Sequence, residues 1–115
     1  MRFSDPSQYI MDDPDKGIFR VHRDVYTDQD IFEMELKNIF EGTWVYLCHA
    51  SQVRNPFDFY CTKIGRRSVI VSRDENGELH GFFNTCRHRG AILCQTEMGN
   101  TKYHVCNYHG WAYDA

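Results

Sequence analysis

The chain has 115 residues, 42% apolar and 15% aromatic, enough for one domain with a modest core and too hydrophobic to be disordered by composition. Thirteen basic and 16 acidic residues leave a formal net charge of -3, which excludes a general affinity for nucleic acid or a membrane surface. The opening Met1-Arg2-Phe3-Ser4-Asp5-Pro6 lacks the apolar stretch of a secretory signal, and the longest apolar run, Trp44 to Cys48, is too short to cross a bilayer. A soluble cytoplasmic protein is expected.

In chain order, residues 1 to 17 are polar, with Pro6, Pro14 and the acids Asp12, Asp13 and Asp15, and read as an extended arm. Thr27 or Asp28 caps one helix carrying Ile31, Phe32, Leu36, Ile39 and Phe40, and Gly42 ends it as a C-terminal cap. Glu33 and Lys37 form a favourable pair four residues apart on its other side. Beyond it the pattern is β. Strands are expected over Trp44–Leu47, Phe57–Ile64, Ser68–Ser72, Leu79–Phe83, Thr101–Val105 and from Trp111 to Tyr113. Gly65-Arg66-Arg67, Asp74-Glu75-Asn76-Gly77 and Met98-Gly99-Asn100 are the turns, Asn76-Gly77 suiting positive φ at both central positions. The fold class is mainly β: a small sandwich or barrel of short antiparallel strands, preceded by an arm and one helix. The boundary separates an amino-terminal arm and helix, residues 1–42, from a domain spanning residues 43–115.

Five cysteines, Cys48, Cys61, Cys86, Cys94 and Cys106, argue against an evenly paired disulfide framework. In a reducing compartment, clustered Cys and His point to metal ligation or catalysis. Two loops carry such clusters: Cys86-Arg87-His88-Arg89-Gly90 and Cys106-Asn107-Tyr108-His109-Gly110-Trp111. Each offers one soft thiolate and one imidazole. Thiolates suit sulfide-bridged iron, and two imidazoles on one iron leave the site less negative, raising its potential above an all-cysteine [2Fe–2S] site. The assignment is Cys86 and Cys106 to one iron, His88 and His109 to the other. Gly90 and Gly110 permit tight loops whose backbone N–H groups point at the sulfurs. A structural zinc site is the competing reading, but zinc fingers group their cysteines and histidines separately, whereas each loop here mixes them.

The remaining candidates read as structure. Cys48, Cys61 and Cys94 are small core residues. His22, His49, His80 and His104 are structural or exposed, although alternation puts His104 on the same face as Cys106. Arg87 and Arg89 are solvated loop charges or a docking patch for an electron donor. Trp111 is a packing lid over the site.

The runs Phe83-Asn84-Thr85-Cys86-Arg87-His88-Arg89-Gly90-Ala91 and Cys106-Asn107-Tyr108-His109-Gly110-Trp111-Ala112-Tyr113-Asp114 closely resemble the large (alpha) subunits of Rieske non-haem iron aromatic ring-hydroxylating dioxygenases. The likeness extends from Gly17 onward, through Ile39–Leu47, His49, Ser51-Gln52, Ile64-Gly65-Arg66 and Asn76–Leu79. The amino-terminal half is most similar to the benzoate, toluate, halobenzoate and anthranilate subgroup. Respiratory Rieske proteins carry an extra cysteine in each loop. Ala91 and Tyr108 stand at those positions here, so that bridge is absent. A stand-alone Rieske ferredoxin is the alternative, but such carriers generally lack the amino-terminal helix and the Trp44 segment.

The resemblance implies an electron-transfer module fed by an NADH-linked reductase, sometimes through a ferredoxin. It implies delivery to a mononuclear Fe(II) in a second domain, which uses O₂ to cis-dihydroxylate an aromatic substrate. It further implies an alpha3 or alpha3beta3 assembly with a small beta subunit, with His88 or His109 as the exit point toward a neighbour's carboxylate. Family chains run several hundred residues, so the chain is expected to be a fragment lacking the catalytic iron domain and the last strands of the cluster domain. No catalytic residue is assigned within it.

Overall fold

The computed structural model describes residues 1–115, which divide into two units, Met1–Trp44 and Val45–Ala115. In the first, residues 1–17 are not the extended arm the composition suggests. A 3₁₀ turn at Pro6–Tyr9 leads into β1 (Ile10–Asp13), which pairs antiparallel with β2 (Ile18–Val21). The reason is local. The Asp13 carboxylate accepts the Lys16 amide at 3.3 Å, Pro14 starts the intervening 3₁₀ turn, and Gly17 closes it at φ 63°. Tyr9 is buried, and its hydroxyl accepts the Phe3 amide at 2.9 Å.

Two α-helices follow where one was expected: α1 (Asp24–Thr27) and α2 (Gln29–Glu35). Asp28 is the N-cap of α2, its carboxylate accepting the amides of Asp30 and Ile31 at 2.9 and 3.2 Å. At Leu36 the helix widens into a π turn, Leu36–Phe40. Of the expected apolar stripe only Leu36 is buried; Phe32, Ile39 and Phe40 are exposed. Gly42 is not a left-handed cap. It lies so close to the turn that a Cβ there would sit 2.9 Å from the carbonyl oxygens of Lys37 and Asn38.

Trp44–Leu47 forms no strand, and Trp44 and Tyr46 are exposed. Strand-forming residues make a strand only where a neighbour completes the hydrogen-bond ladder, and none pairs with this segment. The second unit is built on β3 (Asp58–Ile64), β4 (Arg67–Arg73), β5 (Leu79–Phe83) and β6 (Met98–Asn100), in the order β5-β4-β3-β6 with every pairing antiparallel. β6 occupies the residues expected to turn. Gly99 fits opposite Phe59 because a Cβ there would meet the Phe59 ring at 2.9 Å. The β4–β5 connection is wider than a two-residue turn. Only Gly77 has positive φ, and the Asp74 carboxylate accepts the amides of Asn76 and Glu78.

A separate hairpin, β7 (Tyr103–Val105) with β8 (Ala112–Asp114), carries the second ligand loop between its strands. The sheets stay open, so the fold is mainly β with no closed barrel. The core joins Phe59 and Ile70 to Leu93, Cys86 and Cys106, with Cys61, Phe82, Ala91, Cys94 and Tyr113 packed against it. No helix is long and apolar enough to cross a membrane.

Candidate metal centre

The two predicted ligand loops fold into the same turn. In the first, the Cys86 amide donates to the Ala91 carbonyl at 2.7 Å and the Gly90 amide to the Cys86 carbonyl at 2.8 Å. In the second, Cys106 donates to Trp111 at 2.7 Å and Gly110 to Cys106 at 2.9 Å. Gly90 and Gly110 sit at φ 77° and 80°, a conformation that a side chain strains, which explains a glycine four residues after each cysteine.

Within this shared turn the histidines occupy different positions: His88 is two residues after its cysteine, His109 three. Their rings nevertheless meet, with centroids 4.8 Å apart at 83°. Trp111 stacks on His88 at 4.9 Å and 10°, and Tyr108 lies against His109 at 4.0 Å. Trp111 thus packs flat against one side of the His88 imidazole.

Burial separates the donors by type. Cys86 and Cys106 are each 2% exposed and belong to the core, whereas His88 and His109 are exposed. The Cys86 thiol is held below its ordinary value, chiefly by the Tyr113 hydroxyl at 3.2 Å. Burial opposes that shift. The backbone amides of His88 and Arg89 and the Cys106 side chain reinforce it. The loop amides therefore do favour a thiolate. No three Cys, His or acidic side chains converge on one point. The donors form a buried sulfur pair and an exposed imidazole pair, an arrangement that suits two bridged metal ions better than one tetrahedral zinc.

Two residues to which the sequence pattern gave no role shape the site. Tyr113 was expected only within the last strand. Asn84 is 2% exposed; its side-chain oxygen accepts the amides of Leu93 and Cys94 at 3.0 and 2.8 Å, and its nitrogen donates to the Cys94 carbonyl at 2.7 Å. Asn84 thereby fixes both ends of the first ligand loop. A polar residue in an apolar strand end was the only signal for it.

The other candidates behave as structure. His49 caps the short turn Ala50–Gln52, and His80 pairs with Asp74 at 2.9 Å. His22 contacts Phe3 and Tyr9 edge-on. His104 is buried edge-on between Phe59 and Phe82, and burial lowers its pKa. Cys48, Cys61 and Cys94 are half-buried, and Arg87 and Arg89 are exposed. A cavity of about 1020 Å³ at the β1–β2 hairpin includes none of the four candidate donors.

Residues 43–115 match the Rieske [2Fe-2S] domain family. The chain is 43% identical over 104 residues to toluate 1,2-dioxygenase subunit alpha of Pseudomonas putida, covering 90% of this chain and 23% of that protein. It is 45% identical over 100 residues to the anthranilate 1,2-dioxygenase large subunit of Acinetobacter baylyi, covering 87% and 21%. Among solved structures, naphthalene 1,2-dioxygenase with bound indole superposes with a TM-score of 0.75 at 43% identity, covering 78% of this chain and 20% of that one. The chain thus spans about a fifth of the length of these proteins. The chain belongs to the Rieske [2Fe-2S] domain family and corresponds to the Rieske region of aromatic ring-hydroxylating dioxygenase alpha subunits.

Proposed function

We propose that Cys86 and Cys106 ligate one iron, and His88 and His109 the other, of a [2Fe–2S] cluster that makes this chain an electron-transfer module. A bound cluster of this type supplies one-electron reduction and re-oxidation. The single observation carrying the reading is the pairing of a buried Cys86–Cys106 thiol set with an exposed His88–His109 imidazole set on two matching turns. The buried cysteines keep water from the sulfur side. The exposed imidazoles present their outer ring edges to a partner carboxylate, and Trp111 fixes the tilt of His88.

The wider setting rests on the relatives. An NADH-linked reductase, directly or through a ferredoxin, is the electron source. A mononuclear Fe(II) site in a further domain receives the electrons for O₂-dependent cis-dihydroxylation of an aromatic substrate. Similarity to toluate and anthranilate dioxygenases supports a benzoate-type acid as that substrate. An alpha3 or alpha3beta3 assembly in the cytoplasm completes the proposal.

Iron, acid-labile sulfide and zinc analysis of the purified chain tests the core claim. About two irons and two sulfides per chain are expected, the stoichiometry of this cluster type. Equimolar zinc without sulfide overturns it. His88→Cys should assemble a cluster of lower potential, because a thiolate adds negative charge; an unchanged potential removes His88 from the ligand set.

A further inference from the structure

The chain carries a second pair of thiols that the metal site does not use. Cys61 lies on β3, two residues from Phe59, so both point to the same face, and it packs against the core. Cys94 lies just beyond the first ligand loop, where Asn84 holds its amide and its carbonyl at 2.8 and 2.7 Å. The Cys61 amide donates to the Glu97 carbonyl at 2.7 Å, so the stretch 94–97 runs back along β3. The two cysteines pack against the same core cluster and line one open cavity of about 420 Å³. Both are free cysteines.

We propose that Cys61 and Cys94 are a peroxide-oxidisable dithiol, a modification site that closes into an intrachain disulfide joining β3 to the segment leaving the first ligand loop. The inference rests on these two segments alone and does not depend on which metal the other cysteines hold. The two thiols are unequal. The Cys94 sulfur lies 3.5 Å from both the hydroxyl and the carbonyl of Thr96. The Cys61 thiol is pushed up to about 12, first by burial and then by its contact with Cys94, so it stays protonated and reacts second.

The chemistry balances with hydrogen peroxide as oxidant. The Cys94 thiolate attacks the O–O bond, forming an S–O bond and releasing hydroxide, which takes up the Cys94 proton as water. The Cys61 sulfur then attacks that sulfenic sulfur. The S–S bond forms, the S–O bond breaks, and the departing hydroxide takes the Cys61 proton as a second water. Two thiols lose two electrons, and one peroxide becomes two waters. Asn84 holds the Cys94 backbone by its amide and its carbonyl.

The test is a hydrogen peroxide titration of the cluster-loaded chain, acid quench, alkylation and peptide mapping without reduction. The expected product is the Cys61 peptide linked to the Cys94 peptide, two hydrogens lighter than the separate thiols, reversed by dithiothreitol, with Cys48 still alkylated. In Cys61→Ala, Cys94 should instead accumulate as a sulfenic acid trapped by dimedone. In Cys94→Ala, Cys61 should remain a thiol. The proposal is overturned if both cysteines stay alkylated after Cys48 has oxidised. It is equally overturned if Cys94 passes to sulfinic acid without a linked peptide, or if either thiol links to Cys48 instead.

Discussion

The hydroxyl oxygen of Tyr113 lies 3.2 Å from Sγ of Cys86 and at the same time accepts the backbone amide of Arg87 at 3.0 Å. An oxygen that accepts the amide has its own proton free to give, and Sγ is the partner within reach. The opposite shifts agree: Cys86 is lowered and Tyr113 raised, each chiefly through the other, so the proton stays on the phenol. Tyr113→Phe should therefore remove one donor from the sulfur side and lower the cluster's midpoint potential. The expected change is on the order of tens of millivolts, the scale of one hydrogen bond in a one-electron couple. Protein-film voltammetry measures it, with iron content as the control that the cluster is intact. A potential equal to the parent's would show that Tyr113 does not donate to Cys86.

Asn84 ties the end of β5 to the far side of the first ligand loop through three bonds to backbone groups of Leu93 and Cys94. Asn84→Ala would leave these groups buried without partners, each costing about 1–3 kcal/mol. A loss of at least about 2 kcal/mol is expected, with faster loss of iron to a chelator. Parent-like chelation kinetics together with parent-like stability would contradict this account.

Gly42 faces two backbone carbonyls that cannot rotate away as a side chain would. Gly42→Ala should cost about 1–3 kcal/mol through overpacking against the π turn. Thermal unfolding followed by far-UV circular dichroism checks it. An unchanged midpoint would mean that the turn relaxes freely.

Asp58 gives the pH dependence a sign. Its carboxylate accepts the Asn100 side-chain nitrogen at 2.9 Å and the Asn55 amide at 2.8 Å. The Asn100 bond is the largest cause holding its pKa below the ordinary 3.8. A carboxyl depressed by folding stabilises the fold above its unfolded pKa, and that contribution is lost as pH falls through the folded value. The thermal midpoint of the parent should thus fall more steeply below about pH 4 than that of Asn100→Ser, with the two curves parallel above about pH 5. Parallel curves across the acid range would exclude this contribution.

The two matching turns that carry the candidate ligands were legible in the chain itself. Cysteine, histidine and glycine at fixed offsets are short-range information, because each loop closes on hydrogen bonds spanning only four or five residues. The hairpin strands β3, β4 and β5 and the Asp28 cap were legible for the same reason. Other features depended on partners distant in sequence. Met98–Asn100 reads as a turn, yet becomes a strand because β3 offers it an open edge. Trp44–Leu47 reads as a strand, yet has no edge to join. Tertiary structure alone decided that the sulfurs lie inside and the imidazoles outside, that the Tyr113 hydroxyl hydrogen-bonds Cys86, and that Cys61 and Cys94 line one cavity. Each of these follows from folding β7–β8 and the 94–97 stretch against the β3 region, and packing between distant segments leaves no periodic mark in a sequence.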